Sequence, residues 1–161
     1  MMDARTLSLI GERLSAYGQG RVSHGVVTLD IAAADVLRVV NALKRDHGFD
    51  FFTDLTAVDW PQREPRFDVV YHFYSTTHHG RLRLKTKVAA ADPAVASLVT
   101  LYGSAGFMER ECHDMYGIRF VGNADLRPIL LYEGFEGHPL RKDYAKAHEQ
   151  PLVPYRDEVA R

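Results

Sequence analysis

Six consecutive residues, Glu109, Arg110, Glu111, Cys112, His113 and Asp114, put a thiol, an imidazole, a guanidinium and three carboxylates into the stretch ERECHDMYGIRF. A cysteine beside a histidine is the raw material of a nucleophile and its base. The same residue types are metal ligands. Spacing argues against the first reading. On a helix, adjacent side chains diverge by about 100°, and spatial neighbours lie at i+3 and i+4. Cys112 and His113 then point apart. Glu109 shares a face with Cys112 and His113, and Arg110 faces Asp114 as an i,i+4 ion pair in the weaker orientation.

Other constellations are thinner. Eight histidines are present, but no H-E-x-x-H or Cys-x-x-Cys spacing occurs. His78 and His79 fall in an expected turn, where solvation is the ordinary fate. Cys112 is the only cysteine. The chain therefore forms no internal disulfide, and it cannot supply the four thiolates an iron–sulfur cluster normally takes. Gly18-Gln19-Gly20 lacks the third glycine of a dinucleotide fingerprint and precedes a strand rather than following one. The segment EGHPLRKDY (136–144) is more unusual. Gly137 and Pro139 set a turn around His138. Arg141, Lys142 and Asp143 follow as a dense charged surface, either a solvated loop or a fork for a partner's carboxylates and backbone.

The elements that must hold these residues follow from periodicity. Leu7, Ile10, Leu14 and Tyr17 have helical spacing, closed by Gly18. Val26 to Leu29 is a short strand. Ala33, Val36, Leu37, Val40 and Leu43 mark a second helix ending at Gly48. Phe49 to Trp60 is aromatic and β-branched, a strand closed by Pro61. Phe67, Val69, Tyr71 and Phe73 alternate with other residues, as do Leu82, Leu84, Thr86 and Val88, so 67–88 predicts a β-hairpin. The second strand's other face, Arg81, Arg83, Lys85 and Lys87, should meet solvent or a partner. Pro93 predicts the start of a helix to about Tyr102. A last helix runs from Ala105 to Tyr116 and ends at Gly117. Short loops between consecutive strands favour antiparallel pairing. The expected fold is α+β: a mainly antiparallel sheet of about four strands with helices on one face. Residues 1–121 form this domain. Residues 122–161 are a Gly-, Pro- and charge-rich extension. Ala145 to Arg161 could reach up to ~56 Å if extended, a tail suited to lying along a neighbour.

Bulk properties agree with one globular domain. A chain of 161 residues, 46% hydrophobic, suits a radius of gyration of roughly 15 Å. A formal net charge of −1 argues against a nucleic-acid binder. No apolar run is long enough to span a membrane. The acids Asp3 and Glu12 fit neither a secretory signal nor a transit peptide.

Three stretches together, FFTDLTAVDW (51–60), ERECHDMYGIRF with DLRPILL (109–131), and EGHPLRKDY, resemble the 30-kDa subunit family of NADH–quinone oxidoreductase, respiratory complex I. The hairpin is similar too. The family pattern falls on Glu109, Arg110, Glu111, Asp114, Met115, Tyr116, Gly117 and Arg127, with His138, Pro139, Arg141, Lys142 and Asp143 downstream. It leaves Cys112 and His113 free. This chain departs from it at Asn123, Ala124, Pro128, Gly134, Phe135 and Ala145. The resemblance implies a non-catalytic peripheral-arm subunit of the proton-translocating enzyme, on the cytoplasmic side of the bacterial inner membrane. Its membrane association would be indirect. It implies no cofactor bound by this chain, with FMN, iron–sulfur clusters and quinone carried elsewhere in a hetero-oligomer. The implied partners are the quinone-site large subunit and the iron–sulfur subunits beside it. On this reading the 109–114 cluster ties the last helix to the Arg127 segment and to a neighbour. Alternatives are a free-standing thiol or metal enzyme using Cys112 and His113, and the same scaffold role in a membrane-bound hydrogenase, formate hydrogenlyase or photosynthetic NDH-type complex.

Overall fold

Alternation builds the sheet. In a computed structural model that describes residues 14–148, the strands are β1 (Gln19–Ser23), β2 (Val26–Ile31), β3 (Phe51–Asp59), β4 (Phe67–Ser75), β5 (Gly80–Val88), β6 (Ala94–Ala96) and β7 (Arg119–Val121). The helices are α1 (Val36–Asp46) and α2 (Ala105–Tyr116). The main sheet has five strands in the order β1-β2-β5-β4-β3, and β6 pairs with β7 separately. Register puts Phe73 opposite Leu82 and Tyr71 opposite Leu84. It also puts Phe52 opposite Phe73 and Leu55 opposite Tyr71, across a bulge between Phe52 and Asp54. One face of the sheet is thus continuous core.

Helix α1 covers that core with Val36, Val39, Val40 and Leu43. They follow the i, i+3, i+4, i+7 spacing of a single apolar stripe. Each such burial removes an aliphatic side chain from water at a gain of about 2 kcal/mol. The helix ends at left-handed Gly48, beyond which the Phe49 N–H donates to the Leu43 carbonyl at 3.0 Å. Helix α2 packs on β3 and buries Ala105, Glu109, Cys112 and Asp114. Two of those four are acids, which no apolar stripe would predict.

The α+β class and the hairpin follow the sequence reading, with differences. The main sheet is mixed, because β2 pairs with β5 in parallel. Strand β1 adds an edge that QGRVS, short and glycine-containing, does not announce. The expected 93–102 helix does not form. Ala94–Ala96 is a strand parallel to Arg119–Val121, and Leu98–Tyr102 is a turn in which Leu101 and Tyr102 both donate to the Leu98 carbonyl at 2.9 Å. The short apolar run around Val95 is ambiguous between helix and strand, and tertiary pairing decides it. Of the expected first helix, Leu7 and Ile10 lie outside the described residues. Ser15–Tyr17 is one 3-10 turn, and Leu14 is buried in the core.

Candidate functional site

Helix α2 aims Glu109 inward. Its carboxylate is completely buried and accepts three hydrogen bonds. Leu98 N–H reaches Oε1 at 2.7 Å, and Ser97 Oγ and Asn123 Nδ2 reach Oε2 at 2.8 and 2.9 Å. Glu109 therefore joins α2 to the chain after β6 and to the chain after β7. Burial raises its pKa, and the three donors oppose that rise. A buried carboxylate without a cation beside it depends on such donors.

Asp114, one turn further on, faces a different segment. Its Oδ2 accepts the backbone N–H groups of Ile129, Leu130 and Leu131 at 2.8, 3.0 and 3.4 Å. Successive amides converging on one oxygen form an anion-binding nest. Arg110 holds the residues just before, donating Nε to the Arg127 carbonyl and Nη2 to the Pro128 carbonyl, both at 2.8 Å. The expected Arg110–Asp114 ion pair is absent, because each side chain is committed to backbone fifteen or more positions away. Arg127 is 83% exposed at its side chain and pairs with Asp125 at 2.8 Å. Its backbone carbonyl, not its guanidinium, meets α2. Glu111 is exposed.

The 138–144 segment clasps the end of α2. Gly117 is left-handed, with φ of +70°. A methyl group there would collide with His138 Nε2 and Arg141 Nη2, so the glycine serves both the turn and the close approach. His138 donates Nδ1–H to the Asp114 carbonyl at 2.9 Å, and Arg141 donates Nε–H to the Tyr116 carbonyl at 2.6 Å. Both partners are carbonyls of the last helical turn, which lack intrahelical partners. Burial lowers the His138 pKa, favouring the neutral ring. The half-buried Pro139 follows, and Leu140 N–H reaches the Met115 carbonyl at 3.2 Å.

The clasp is anchored to the sheet by a buried acid. Arg66 grips Asp59 in two bonds of 2.6 and 2.7 Å and reaches Asp143 at 2.8 Å. Asp59 also accepts the Lys142 N–H at 2.7 Å, while the Lys142 side chain is exposed. Arg66 holds the Asp59 and Asp143 carboxyls below their usual range. Arg66 and Arg141 both lie over the Phe67 ring, at 5.0 and 5.2 Å from its centre. Sequence reasoning missed Asp59, Arg66, Ser97 and Asn123. Asp59 was visible as an acid at the end of an apolar strand, a position that needs a partner when buried.

Cys112 and His113 are not idle. Cys112 is buried in the core, and burial pushes its thiol well up, away from the thiolate that nucleophilic chemistry needs. His113 donates Nδ1–H to the Ile118 carbonyl at 3.0 Å. Its ring centre is 6.3 Å from that of His138. Among the described residues, no group of three or more His, Cys, Asp or Glu is placed to hold a metal ion. Also among these residues, no helix is long and apolar enough to cross a membrane.

Comparison with known proteins places this arrangement. The family described as respiratory-chain NADH dehydrogenase, 30 Kd subunit, matches residues 29–150. The NADH-quinone oxidoreductase C subunit of Phenylobacterium zucineum is 41% identical over 160 residues, covering 99% of this chain and 76% of the relative. Its counterpart in Paramagnetospirillum magneticum is 48% identical over 133 residues, covering 81% of this chain and 63% of the relative. Among solved structures, a trypsin-resistant fragment of Nqo5 superposes with a TM-score of 0.63 and 28% identity, over 76% of this chain and 99% of that one. A chain of a membrane-bound sulfane sulfur reductase, an archaeal respiratory membrane complex, shares the fold. Its TM-score is 0.74 at 23% identity, over 89% of this chain and 87% of that one. The buried acids and the clasped glycine of α2 thus sit in a chain that belongs to the respiratory-chain NADH dehydrogenase 30 Kd subunit family.

Proposed function

We propose that this chain is a non-catalytic, peripheral-arm subunit of a proton-translocating NADH:quinone oxidoreductase. It would act as a scaffold beside the subunit that helps form the quinone site. Electrons would pass from NADH through FMN and iron–sulfur clusters to quinone on other subunits. The observation that carries this reading is where the charges go. Asp114, Arg110, His138 and Arg141 all bind backbone of their own chain. Groups spent in this way hold the shape of the chain, which supports a structural role. The burial of Cys112 supports the same reading against a thiol enzyme. The domain of residues 1–121 would be the body, and 122–161 the extension whose tail meets neighbours. Its place would be the cytoplasmic side of the bacterial inner membrane, reached through the complex.

The test is affinity purification of the chain from its own membranes in mild detergent, followed by NADH-driven quinone reduction. Co-purification of flavin and iron–sulfur subunits with that activity supports the proposal. A similar assembly that oxidises hydrogen or formate instead would move the scaffold to a related complex. A lone chain would overturn it.

A further inference from the structure

The outer face of the sheet carries a column of four cations on β5: Arg81, Arg83, Lys85 and Lys87. Alternate residues stand about 7 Å apart, so the column spans about 20 Å. Among the described residues none of the four takes part in an ion pair. The register names their neighbours. Arg83 lies between His72 and Thr28, Lys85 between Val70 and Asp30, and Lys87 beside Asp68. The two acids in those rows are engaged elsewhere, Asp30 with Arg21 and Asp68 with Arg63 and the Trp60 indole. Asp54, opposite His72, is the remaining acid in these rows.

Alternation puts polar residues on the outer face of a sheet covered on one side, but it does not call for four cations in one column, and edge protection does not explain them. Lysines protect the edges of sheets from unwanted pairing, but β5 is the middle strand of five. Lysine is also a poor strand former, and like charges down one column repel. Arg83 and Lys85 are moreover half-buried, so water screens them less well than it would at a loop tip. The face feels this field. The His72 pKa is lowered first by burial, then by Arg83; Asp54 opposes the shift, and Lys85 and Arg81 add to it. At one end of the column, Phe51, Asp54, His72, Tyr74 and Arg81 line a cleft of about 480 Å³ that could seat a side chain.

We infer that this face is a docking surface for an acidic polypeptide segment of a neighbouring protein, its carboxylates spaced to match the β5 column. Charge complementarity identifies the occupant. A single face of four cations in a chain of net charge −1 suits a short acidic segment and not the long polyanion of nucleic acid. The inference rests on the proposed function only in taking that neighbour from the assembled complex.

Two experiments test it. In the purified complex, Lys85 and Lys87 should be protected from acetylation relative to the isolated chain. Carbodiimide should also link them to aspartates or glutamates of one neighbour. Equal acetylation in complex and isolated chain overturns the inference, even if the complex purifies with full activity. Failure to purify any complex overturns instead the proposed function. The second experiment uses the isolated full chain and a labelled hexaglutamate peptide. Binding should fall steeply with added salt. The double variant Arg83→Gln/Lys85→Gln should weaken it by about tenfold. Binding indifferent to that variant, or stronger binding to phosphatidylglycerol vesicles than to the peptide, overturns the inference.

Discussion

Helix α2 and strand β5 are both dense in charge, and they use it in opposite ways. On α2, Glu109, Arg110 and Asp114 each satisfy backbone or side-chain groups of the same chain. On β5, four cations at alternate positions form no ion pair among the described residues. The α2 cluster has the residue types of an active site, yet its geometry is that of joints. The β5 column has the composition of a solvated surface, and its two middle cations are half-buried. Residue type suggests chemistry, but the hydrogen-bond partners decide whether a charge is consumed internally or offered outward.

Breaking the α2 side of this contrast should cost the most. Glu109→Ala strands the Leu98 amide, Ser97 and Asn123 in the interior and opens a cavity. We expect a loss of about 4 kcal/mol in urea unfolding. Asp114→Ala removes the acceptor shared by three amides at a more accessible site, for about 2–3 kcal/mol. Gly117→Ala imposes a side chain on a left-handed turn and pushes against His138 and Arg141. It should cost about 2 kcal/mol and displace the clasp, visible as faster amide exchange across 138–144. Lys85→Gln on β5 should change the isolated chain's stability by about 0.5 kcal/mol or less. A large loss there would mean that the β5 charges are internal joints after all.

Acidity sharpens the same contrast. The Glu109 pKa is raised on folding. Its stability contribution is therefore complete below the unfolded value of about 4.3 and is lost as pH rises through the folded value. The Asp59 pKa is lowered, chiefly by Arg66. Its contribution is complete above the unfolded value of about 3.9 and is lost as pH falls through the folded one. The stability gap between the parent chain and Glu109→Gln should thus shift in the parent's disfavour as pH rises from acid to neutral. The gap to Asp59→Asn should move the other way. Parallel slopes for the two variants would refute the assignment of one buried, cation-free acid and one arginine-held acid.

Much of the fold is legible because alternation and helical stripes are local. The β4–β5 hairpin and α1 both read directly from spacing, and Gly117 marks the end of α2. The 93–102 segment misleads because Val95 and Leu98 fit either period, and only the distant Arg119–Val121 strand settles it. The site was legible as a set of residues but not as a set of contacts. Arg110 and Asp114 satisfy the i,i+4 rule, yet both are claimed by backbone of 127–131, where several bonds together outweigh a single surface pair. Glu109 looks like its neighbour Glu111. Only packing separates the buried acceptor from the exposed charge. Cys112, which the family pattern leaves free, is a core residue because α2 happens to turn it inward.

The central claim is that the α2 charges build architecture and do not perform chemistry. The most direct measurement is a strain carrying Asp114→Ala as its only copy. In it, the amount of assembled complex in membranes is quantified separately from NADH:quinone turnover per assembled complex. The account predicts less assembled complex, with turnover per complex unchanged. Full assembly with turnover lost would contradict it and return the cluster to catalysis.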